Sequence, residues 1–336
     1  MNKEEHKGIW VYIEYNNGEL SRASLGLLAK AHDLKEKLGG GDTITAVLLG
    51  SDVAHFTKEL FSYGAEQVLL CENTLLSQYK HRVYTNALIL LAEKYKPSIF
   101  LLPASPAGRE LAPRVMCSLG TGLTADAIDL DIDEDGTFVQ TTPNFGGCIL
   151  SHIAIPEHRP QMCTVHPGVF APFEPDENAG GNIIVESLDL IDDDSYVVLN
   201  RQEKTLTDEP ISKADIVVSG GYGIKDEDDL AQLKELAELI GGRVGCSRPL
   251  YEKGWFGHEK QIGQSGSTIA PKLIINVAIS GSIQYVAGMD KAKTIMSVNK
   301  DSYAPIFDVS NYGAIADYKL LIPAIINEIK SRKQRG

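Results

Sequence analysis

The sequence predicts an α/β protein made of two tandem Rossmann-like, doubly wound domains whose sheets are mainly parallel. Short β-rich runs alternate with helical segments in the first part of the chain, and the same alternation restarts after an acidic interval. The chain has 336 residues, enough for two domains of about 150 residues each. We therefore expect a first domain over residues 1–205, with a linker from about residue 171, and a second domain over residues 206–336.

The first domain begins with a strand, a helix and a second strand. β-rich runs occupy residues 10–15 and 44–49, and residues 21–38 between them have apolar side chains at helical spacing. This order predicts parallel strands joined by helices that cover both faces of a sheet. The later elements are strands at 67–70 and 99–104 and helices at 84–95 and from about residue 108.

Residues 171–211 form the acidic and polar interval between the two halves. One interpretation is that the first domain ends here and a linker follows. The other is that residues 182–199 are a β-hairpin extension packed on the first domain. The sequence favours neither.

The second domain starts with a strand over residues 215–219 and a glycine-rich turn. Residues 230–240 place apolar side chains on one helical face, acidic residues at 226–229 lie in the preceding turn, and Gly241 ends the helix. The remaining predicted elements are a loop at 243–266, strands at 273–279 and 294–298, and a final helix at about 315–330.

Charge and hydropathy disfavour several classes of protein. The 32 Lys and Arg residues against 45 Asp and Glu residues give a net charge of −13, which opposes nonspecific binding to nucleic acid or an anionic membrane. The apolar stretch at residues 273–289 contains too many polar residues for a membrane span. The first residues have neither a signal-peptide nor a transit-peptide pattern, so we expect a cytoplasmic protein.

The cysteine and histidine spacings give no support for a metal site. Cys71, Cys117, Cys148, Cys163 and Cys246 stand alone without a Cys-x-x-Cys pair, and no His-Glu-x-x-His pattern occurs. We expect these cysteines to be buried thiols in a reducing compartment.

Two glycine motifs have features of phosphate-binding turns. GTGLTA at residues 120–125 has dinucleotide-binding spacing, but the residues before it look helical instead of extended. GYG at residues 221–223 follows a strand and opens a helix, but Asp226 stands where a third glycine is expected. The second motif is therefore either a dinucleotide turn or an ordinary tight turn.

Loops rich in glycine, serine and amide side chains are concentrated between residues 246 and 318. CSR, GQSGS, ISGSIQYVAGM and SVNKD stand at 246–248, 263–267, 279–289 and 297–301. In a parallel sheet such loops converge on one edge, where ligands bind. Gly281 lets backbone amides approach an anionic group, with the Ser280 and Ser282 hydroxyls beside them. The alternative is a Ser/Gly turn that only reverses the chain.

These segments resemble the signature of the electron transfer flavoprotein α-subunit family. ISGSIQYVAGM, SVNKD and APIFDVSNYGAIADY (residues 304–318) are similar to the family's ISGAIQHLAGM, INKD, APIF and DYG. GRELAPR, LGTGLTAD and HRPQMCTVHPGVF, at residues 108–114, 119–126 and 158–170, resemble the family's first domain. The resemblance covers most of the chain in the right order and spacing.

The resemblance implies a heterodimer with a β-subunit and an FAD in the C-terminal domain. Ser247 and Arg248 match residues near the flavin ring, Ser265 matches a hydroxyl that bonds flavin N5, and residues 280–285 match the pyrophosphate and ring loop. Asn299, Asp317 and Tyr318 match positions around the adenosine half. The full set of implied cofactor-binding residues is Tyr222, Ser247, Arg248, Ile262, Gly263, Gln264, Ser265, Ser280, Gly281, Ser282, Ile283, Gln284, Tyr285, Asn299, Asp317 and Tyr318.

Elementary electrostatics supports two of these roles. A flavin that accepts an electron gains negative charge near N1 and the C2 carbonyl, where a fixed guanidinium such as that of Arg248 stabilises it. The Ser265 hydroxyl beside N5 would tune the potential further. The alternatives are an ordinary surface ion pair for Arg248 and a loop-capping bond for Ser265.

Three positions depart from the family pattern. Tyr285 replaces a frequent His, which predicts a less stabilised anionic semiquinone because a neutral phenol stands in for an imidazolium. Tyr222 replaces the Arg of Gly-Arg-Gly, and Ser267 replaces a frequent Lys. FAD contacts at these positions are therefore expected to be unusual.

The resemblance implies an electron carrier without substrate chemistry of its own, working between flavin dehydrogenases of the acyl-CoA dehydrogenase type and another redox partner. The alternative is a subunit of an NADH-linked or electron-bifurcating complex. A self-contained dehydrogenase has only Asp290 and His258 as tempting acid or base groups, and a nucleotide sensor would hold a redox-inert FAD. We expect the first domain to serve as a scaffold that holds the partner subunit.

Overall fold

The computed structural model describes residues 5–144, 149–200 and 210–335. The described residues form two compact units, the first made of residues 5–144 and 149–200 and the second of residues 210–335. Both units alternate strands and helices, and their main sheets are parallel. The predicted fold class is therefore confirmed.

The first unit contains twelve described strands and four described α-helices. The strands are β1 Ile9–Tyr12, β2 Tyr15–Asn16, β3 Glu19–Leu20, β4 Ile44–Gly50, β5 Gln67–Glu72, β6 Ile99–Pro103, β7 Leu123–Ala127, β8 Asp129–Ile132, β9 Phe138–Asn144, β10 Ile149–Ala154, β11 Gln161–Val165 and β12 Asn182–Glu186. The helices are α1 Arg22–Lys37, α2 Thr57–Ser62, α3 His81–Tyr95 and α4 Pro106–Leu119.

A seven-stranded parallel sheet in the order β12-β5-β4-β1-β6-β11-β7 forms the centre of this unit. Successive residues of β1 enter opposite cores: Ile9 and Val11 pack with α1, whereas Trp10 and Tyr12 pack with α3. Both faces of the sheet are therefore buried, as β-α-β order predicts.

The GTGLTA motif is not a dinucleotide-binding turn. It follows helix α4, whose end is capped by Gly120 in the left-handed conformation at φ 62°, and strand β7 comes next. A dinucleotide turn needs the opposite order, a strand followed by a helix.

Two parts of this unit differ from the predictions or extend them. β8, β9 and β10 form a separate antiparallel sheet that the pattern did not reveal. The hairpin interpretation of residues 182–199 is wrong, because β12 pairs in parallel with β5 at the edge of the main sheet. The partner of β12 lies more than 100 residues earlier in the chain, so local sequence cannot specify this pairing.

The second unit contains a five-stranded parallel sheet in the order β14-β13-β15-β16-β17. Its strands are β13 Ile216–Gly220, β14 Arg243–Cys246, β15 Leu273–Val277, β16 Ile295–Asn299 and β17 Tyr312–Ile315. Its helices are α5 Leu230–Leu239, α6 Arg248–Glu252, α7 Ile283–Val286 and α8 Tyr318–Arg335.

Two sequence-based boundaries in this unit were wrong. The predicted loop at 243–266 contains β14 and α6, and the predicted start of the last helix is instead the edge strand β17. Helix α8 begins at Tyr318 because the Asp317 carboxylate accepts a hydrogen bond from the Lys319 backbone N–H and caps its first turn. β17 is mostly exposed, so it lacks the apolar pattern of a buried strand.

Among residues 5–144, 149–200 and 210–335, no helix combines the length and the apolar character needed to cross a bilayer. The same residues contain no cluster of three or more His, Cys, Asp or Glu side chains arranged to hold a metal ion. Cys71, Cys163 and Cys246 are buried as expected, Cys117 is exposed, and Cys148 lies outside the described residues.

Candidate functional site

The predicted loops meet at the carboxyl edge of the second sheet. In chain order the five strands run 2-1-3-4-5, so the connections from β13 and β15 leave in opposite directions and open a crevice at this edge. Gly221 N–H donates to the Val277 carbonyl at 2.9 Å, and Gly223 N–H donates to the Ala278 carbonyl at 3.0 Å. A Cβ at Gly221 would stand 2.4 Å from the Ala278 oxygen, so this close approach requires glycine.

The loop after β15 needs a second glycine for its shape. Gly281 has φ 91°, and a Cβ there would lie 2.4 Å from the backbone nitrogen of Ile306. That nitrogen donates to the Ser280 carbonyl at 2.9 Å, and Ser282 stands in extended conformation just before helix α7. The close approach of Ile306 therefore requires glycine at position 281, between the two serines of this loop.

Residues 262–267 form the neighbouring wall. Ile262 N–H donates to the Cys246 carbonyl at 2.8 Å, so this segment lies beside the end of β14 in a parallel bridge. Gln264 N–H donates to the Gln284 carbonyl at 2.8 Å, and a Cβ at Gly288 would stand 2.4 Å from the nitrogen of Gly263. The two predicted flavin loops are thus in direct contact.

The Ser265 hydroxyl is held by a glutamine. Its oxygen accepts a hydrogen bond from Gln261 Nε2 at 2.9 Å, and the Ser265 carbonyl lies 3.1 Å from His258 Nε2. A serine hydroxyl that accepts one bond keeps its hydrogen for another. The loop-capping and flavin-facing interpretations of Ser265 are therefore compatible.

Arg248 is the first residue of helix α6, directly after β14 and the buried Ser247. Its side chain is 66% exposed, and its Nε donates to Glu252 Oε1 at 2.7 Å one helical turn away. Ser247 N–H donates to the Gly220 carbonyl at 2.9 Å, which fixes the start of this helix against β13. The guanidinium therefore stands at the carboxyl edge with one acidic neighbour.

Tyr285 lies in the interior of the unit. It is 4% exposed, and its hydroxyl donates to Asn276 Oδ1 at 2.7 Å. Burial raises the pKa of Tyr285 above its ordinary range, so the phenol is neutral. The expected effect of this Tyr on a reduced flavin stays a prediction.

The residues expected around the adenosine half all have structural partners. Asn299 Nδ2 donates to the Ile279 carbonyl at 2.9 Å, joining the ends of β15 and β16. Tyr318 donates to Asp229 Oδ2 at 2.6 Å, and burial together with that carboxylate raises its pKa to about 12. Asp317 caps helix α8, so contacts of these residues with adenosine stay a prediction.

Two lysines that the sequence analysis did not select flank Tyr222. Its ring is 61% exposed, and the ammonium groups of Lys225 and Lys253 lie 4.1 Å and 5.9 Å from the ring centroid. Positive charge therefore stands beside the position where the family pattern has Arg. Lys225 follows the glycine turn within three residues, a signal that sequence reasoning overlooked.

These residues fit the FAD that the resemblance implies. Gly221 and Gly281 let the loops at the carboxyl edge pack backbone against backbone, and Arg248, Lys225 and Lys253 add positive charge for an anionic group. The pairing of Asn276 with Tyr285 could not be predicted from the sequence. The only available signal was a polar residue inside the apolar run LIINV at residues 273–277.

Comparison with known proteins agrees with this geometry. The family model described as Electron transfer flavoprotein domain matches residues 9–191, and that described as Electron transfer flavoprotein FAD-binding domain matches residues 210–290. The electron transfer flavoprotein subunit alpha of Thermoanaerobacterium thermosaccharolyticum is 41% identical over 98% of this chain and 99% of its own length. Protein FixB of Clostridium saccharobutylicum is 41% identical over 98% of each chain.

A third relative is named as a subunit of a dehydrogenase complex. Subunit LctC of a lactate dehydrogenase (NAD(+),ferredoxin) from Acetobacterium woodii is 35% identical over 98% of this chain and 78% of its own length. Matches of this extent and identity establish homology along the whole chain. The chain belongs to the electron transfer flavoprotein α-subunit family, and its C-terminal unit is the FAD-binding domain of that family.

Proposed function

We propose that this chain is the FAD-carrying subunit of a heterodimeric electron carrier and has no substrate chemistry of its own. The observation that carries the proposal is the pair of glycine turns at Gly221 and Gly281, where the loops after β13 and β15 pack too closely on other backbone to admit a side chain, within the FAD-binding domain of the family. When bound, FAD supplies one- and two-electron transfer.

In this proposal the chain's own residues bind and tune the cofactor. The backbone around Gly221 and Gly281 lies against the phosphates, while Lys225 and Lys253 supply positive charge nearby. Arg248 faces the part of the flavin that becomes negative, and Ser265 uses its remaining hydrogen toward the ring nitrogen.

The partners follow from the family. A β-subunit completes the heterodimer, and the carrier exchanges electrons with a flavin dehydrogenase of the acyl-CoA dehydrogenase class. The first unit acts as the scaffold that holds the β-subunit, and we place the boundary with the FAD domain at residues 205 and 206.

A second candidate function is a subunit of an NADH-linked or electron-bifurcating complex. The similarity to LctC, a subunit of a lactate dehydrogenase named for NAD(+) and ferredoxin, favours this candidate. The two candidates differ in flavin content and in reactivity with NADH, so one experiment separates them.

The experiment is co-expression with the β-subunit, followed by anaerobic titration of the purified complex with dithionite and with NADH. One FAD per heterodimer, unreactive toward NADH but reduced through an acyl-CoA dehydrogenase, is expected for the simple carrier. Two FADs with rapid reduction by NADH would identify the second candidate. A complex without flavin would overturn both.

A further inference from the structure

Three neighbouring strands of the second unit carry a polar side chain at the same level of the sheet. Ser219 of β13 lies in register with Asn276 of β15, which lies in register with Ser297 of β16. The three residues, which we term the polar row, are 0%, 0% and 2% exposed. A buried amide or hydroxyl is costly unless it is hydrogen-bonded, so this row depends on its partners.

Donor and acceptor chemistry fixes the direction of the hydrogen bonds. Ser310 Oγ lies 2.7 Å from the Ile306 carbonyl and 2.7 Å from Ser297 Oγ. The carbonyl can only accept, so Ser310 donates to it and accepts from Ser297.

The same assignment of donors and acceptors extends to the amide of Asn276. Because the Ser297 hydrogen is used on Ser310, Ser297 must accept from Asn276 Nδ2 at 3.2 Å. Asn276 Oδ1 then faces Tyr285 and accepts from its hydroxyl at 2.7 Å. The bonds run in one direction from Tyr285 through Asn276, Ser297 and Ser310 to the Ile306 carbonyl, and Ser219 is not part of this chain.

The chain of bonds returns to the loop where it starts. Tyr285 is at one end of residues 280–285, and the Ile306 backbone N–H donates to the Ser280 carbonyl at the other end at 2.9 Å. Gly281 lies between these anchors with a Cβ position only 2.4 Å from Ile306 N. One circuit, buried at Tyr285, Asn276 and Ser297, therefore holds both ends of the glycine loop.

We propose that Tyr285 is a positioning residue, paired with Asn276, and that this circuit holds residues 280–285 in the shape that binds FAD. The inference rests on the proposed function and assigns Tyr285 a role inside the domain instead of at the flavin. The tyrosine provides what the position requires, a ring that fills the core and a donor that reaches Asn276.

The test compares single and paired substitutions in the full heterodimer. Tyr285→Phe removes only the donor, Asn276→Leu removes the acceptor, and the double variant removes both while leaving neither unpaired. Ser310→Ala breaks the circuit at its other end and serves if Tyr285→Phe does not fold. Tyr312→Phe is the control, because Tyr312 is 64% exposed at the amino end of β17. FAD dissociation constant, flavin reduction potential and urea unfolding are measured for each.

We expect Tyr285→Phe and Ser310→Ala to weaken FAD binding by about tenfold and to shift the reduction potential, with Tyr312→Phe unchanged. The double variant should regain much of the unfolding stability but not the FAD affinity, since both members of the Tyr285–Asn276 pair are removed and Ser297 keeps its bond to Ser310.

Two results would overturn the inference while the proposed function stands. One is a wild-type complex that binds FAD and variants that bind it equally well. The other is a double variant that regains stability and affinity together, which would make the pair merely structural. A wild-type heterodimer that binds no FAD would overturn the proposed function itself.

Discussion

Ala278 is the most strained position beside the candidate flavin site. It follows β15 with φ 55°, a left-handed conformation that costs a residue with a Cβ about 1 kcal/mol or more relative to glycine. Its carbonyl accepts the hydrogen bond of Gly223, so the conformation is held by the approach of the two loops. This strain is located where the crevice requires a sharp turn.

We therefore expect Ala278→Gly to raise the free energy of unfolding by about 1 kcal/mol. Ala237→Gly is the matched control, because Ala237 is equally buried but lies inside helix α5, and there the same change should lower stability by about 1 kcal/mol. Urea unfolding of both variants measures the difference. A loss of stability at both positions would contradict the strain argument.

Arg248 and Glu252 form an exposed pair at the same edge, and the carboxylate weakens the field that the guanidinium exerts on a bound flavin. We expect Arg248→Met to lower the flavin reduction potential and Glu252→Gln to raise it by a smaller amount that shrinks in salt. Redox titrations at low and high ionic strength check this. Equal potentials in all three proteins would remove Arg248 from the flavin's surroundings.

At the scale of elements, the start of helix α4 is capped by Ser105, whose hydroxyl is in turn bonded to the carboxylate of Glu14. Ser105 donates to Glu14 Oε1 at 2.5 Å, and the Ser105 oxygen accepts from Gly108 N–H at 2.9 Å. Glu14 follows β1, whose connection leads toward β4, whereas the connection from the neighbouring strand β6 leads the other way toward β7. Burial raises the pKa of the Glu14 carboxyl, an effect that the bonds from Ser105 and Gly108 partly offset.

The raised pKa of Glu14 predicts how the stability of the fold changes with pH. The folded protein holds the Glu14 proton more tightly than the unfolded chain, so folding is favoured below the unfolded pKa of about 4.3 and loses that advantage as pH rises through the folded pKa. Glu14→Gln, which can accept the same Ser105 bond, should therefore gain stability relative to wild type between pH 4 and pH 7. Thermal melts at both pH values measure this gain, and Glu19→Gln, at an exposed position, is the control. A stability difference between Glu14→Gln and wild type that is the same at both pH values would contradict the prediction.

The glycine loop after β15 offers a second test at this scale. Gly281 and Gly241 both have positive φ, at 91° and 69°, but only at Gly281 would a Cβ meet backbone within 4 Å. We expect Gly241→Ala to cost about 1 kcal/mol of stability and leave FAD binding intact. Gly281→Ala should cost more and abolish binding. Equal FAD affinity in the two variants would show that the loop shape is not required.

At the scale of the whole molecule, the second unit is complete in itself. The strand pairs of its sheet all lie among β13, β14, β15, β16 and β17, and the buried residues of its two described cores all belong to residues 211–326. We expect residues 206–336, expressed alone, to unfold in a cooperative urea transition with α/β circular dichroism. A fragment without a cooperative transition would show that the proposed boundary is misplaced or that this unit folds only with the rest of the complex.

The sequence by itself determined the alternation of strands and helices, the two units and the family, because buried parallel strands are apolar and the site loops have fixed order and spacing. It also predicted that residues 246–248, 263–267, 279–289 and 297–301 converge on one sheet edge.

Only the tertiary structure decided the edge strands β12 and β17: β12 is apolar but mostly exposed and pairs with β5 more than 100 residues earlier, and β17 is a short, mostly exposed strand. It alone revealed that Tyr285 bonds Asn276 in the core and that Arg248 pairs with Glu252. Residue type and spacing set which groups a strand end presents, but the direction in which each side chain finds its partner depends on packing across the sheet.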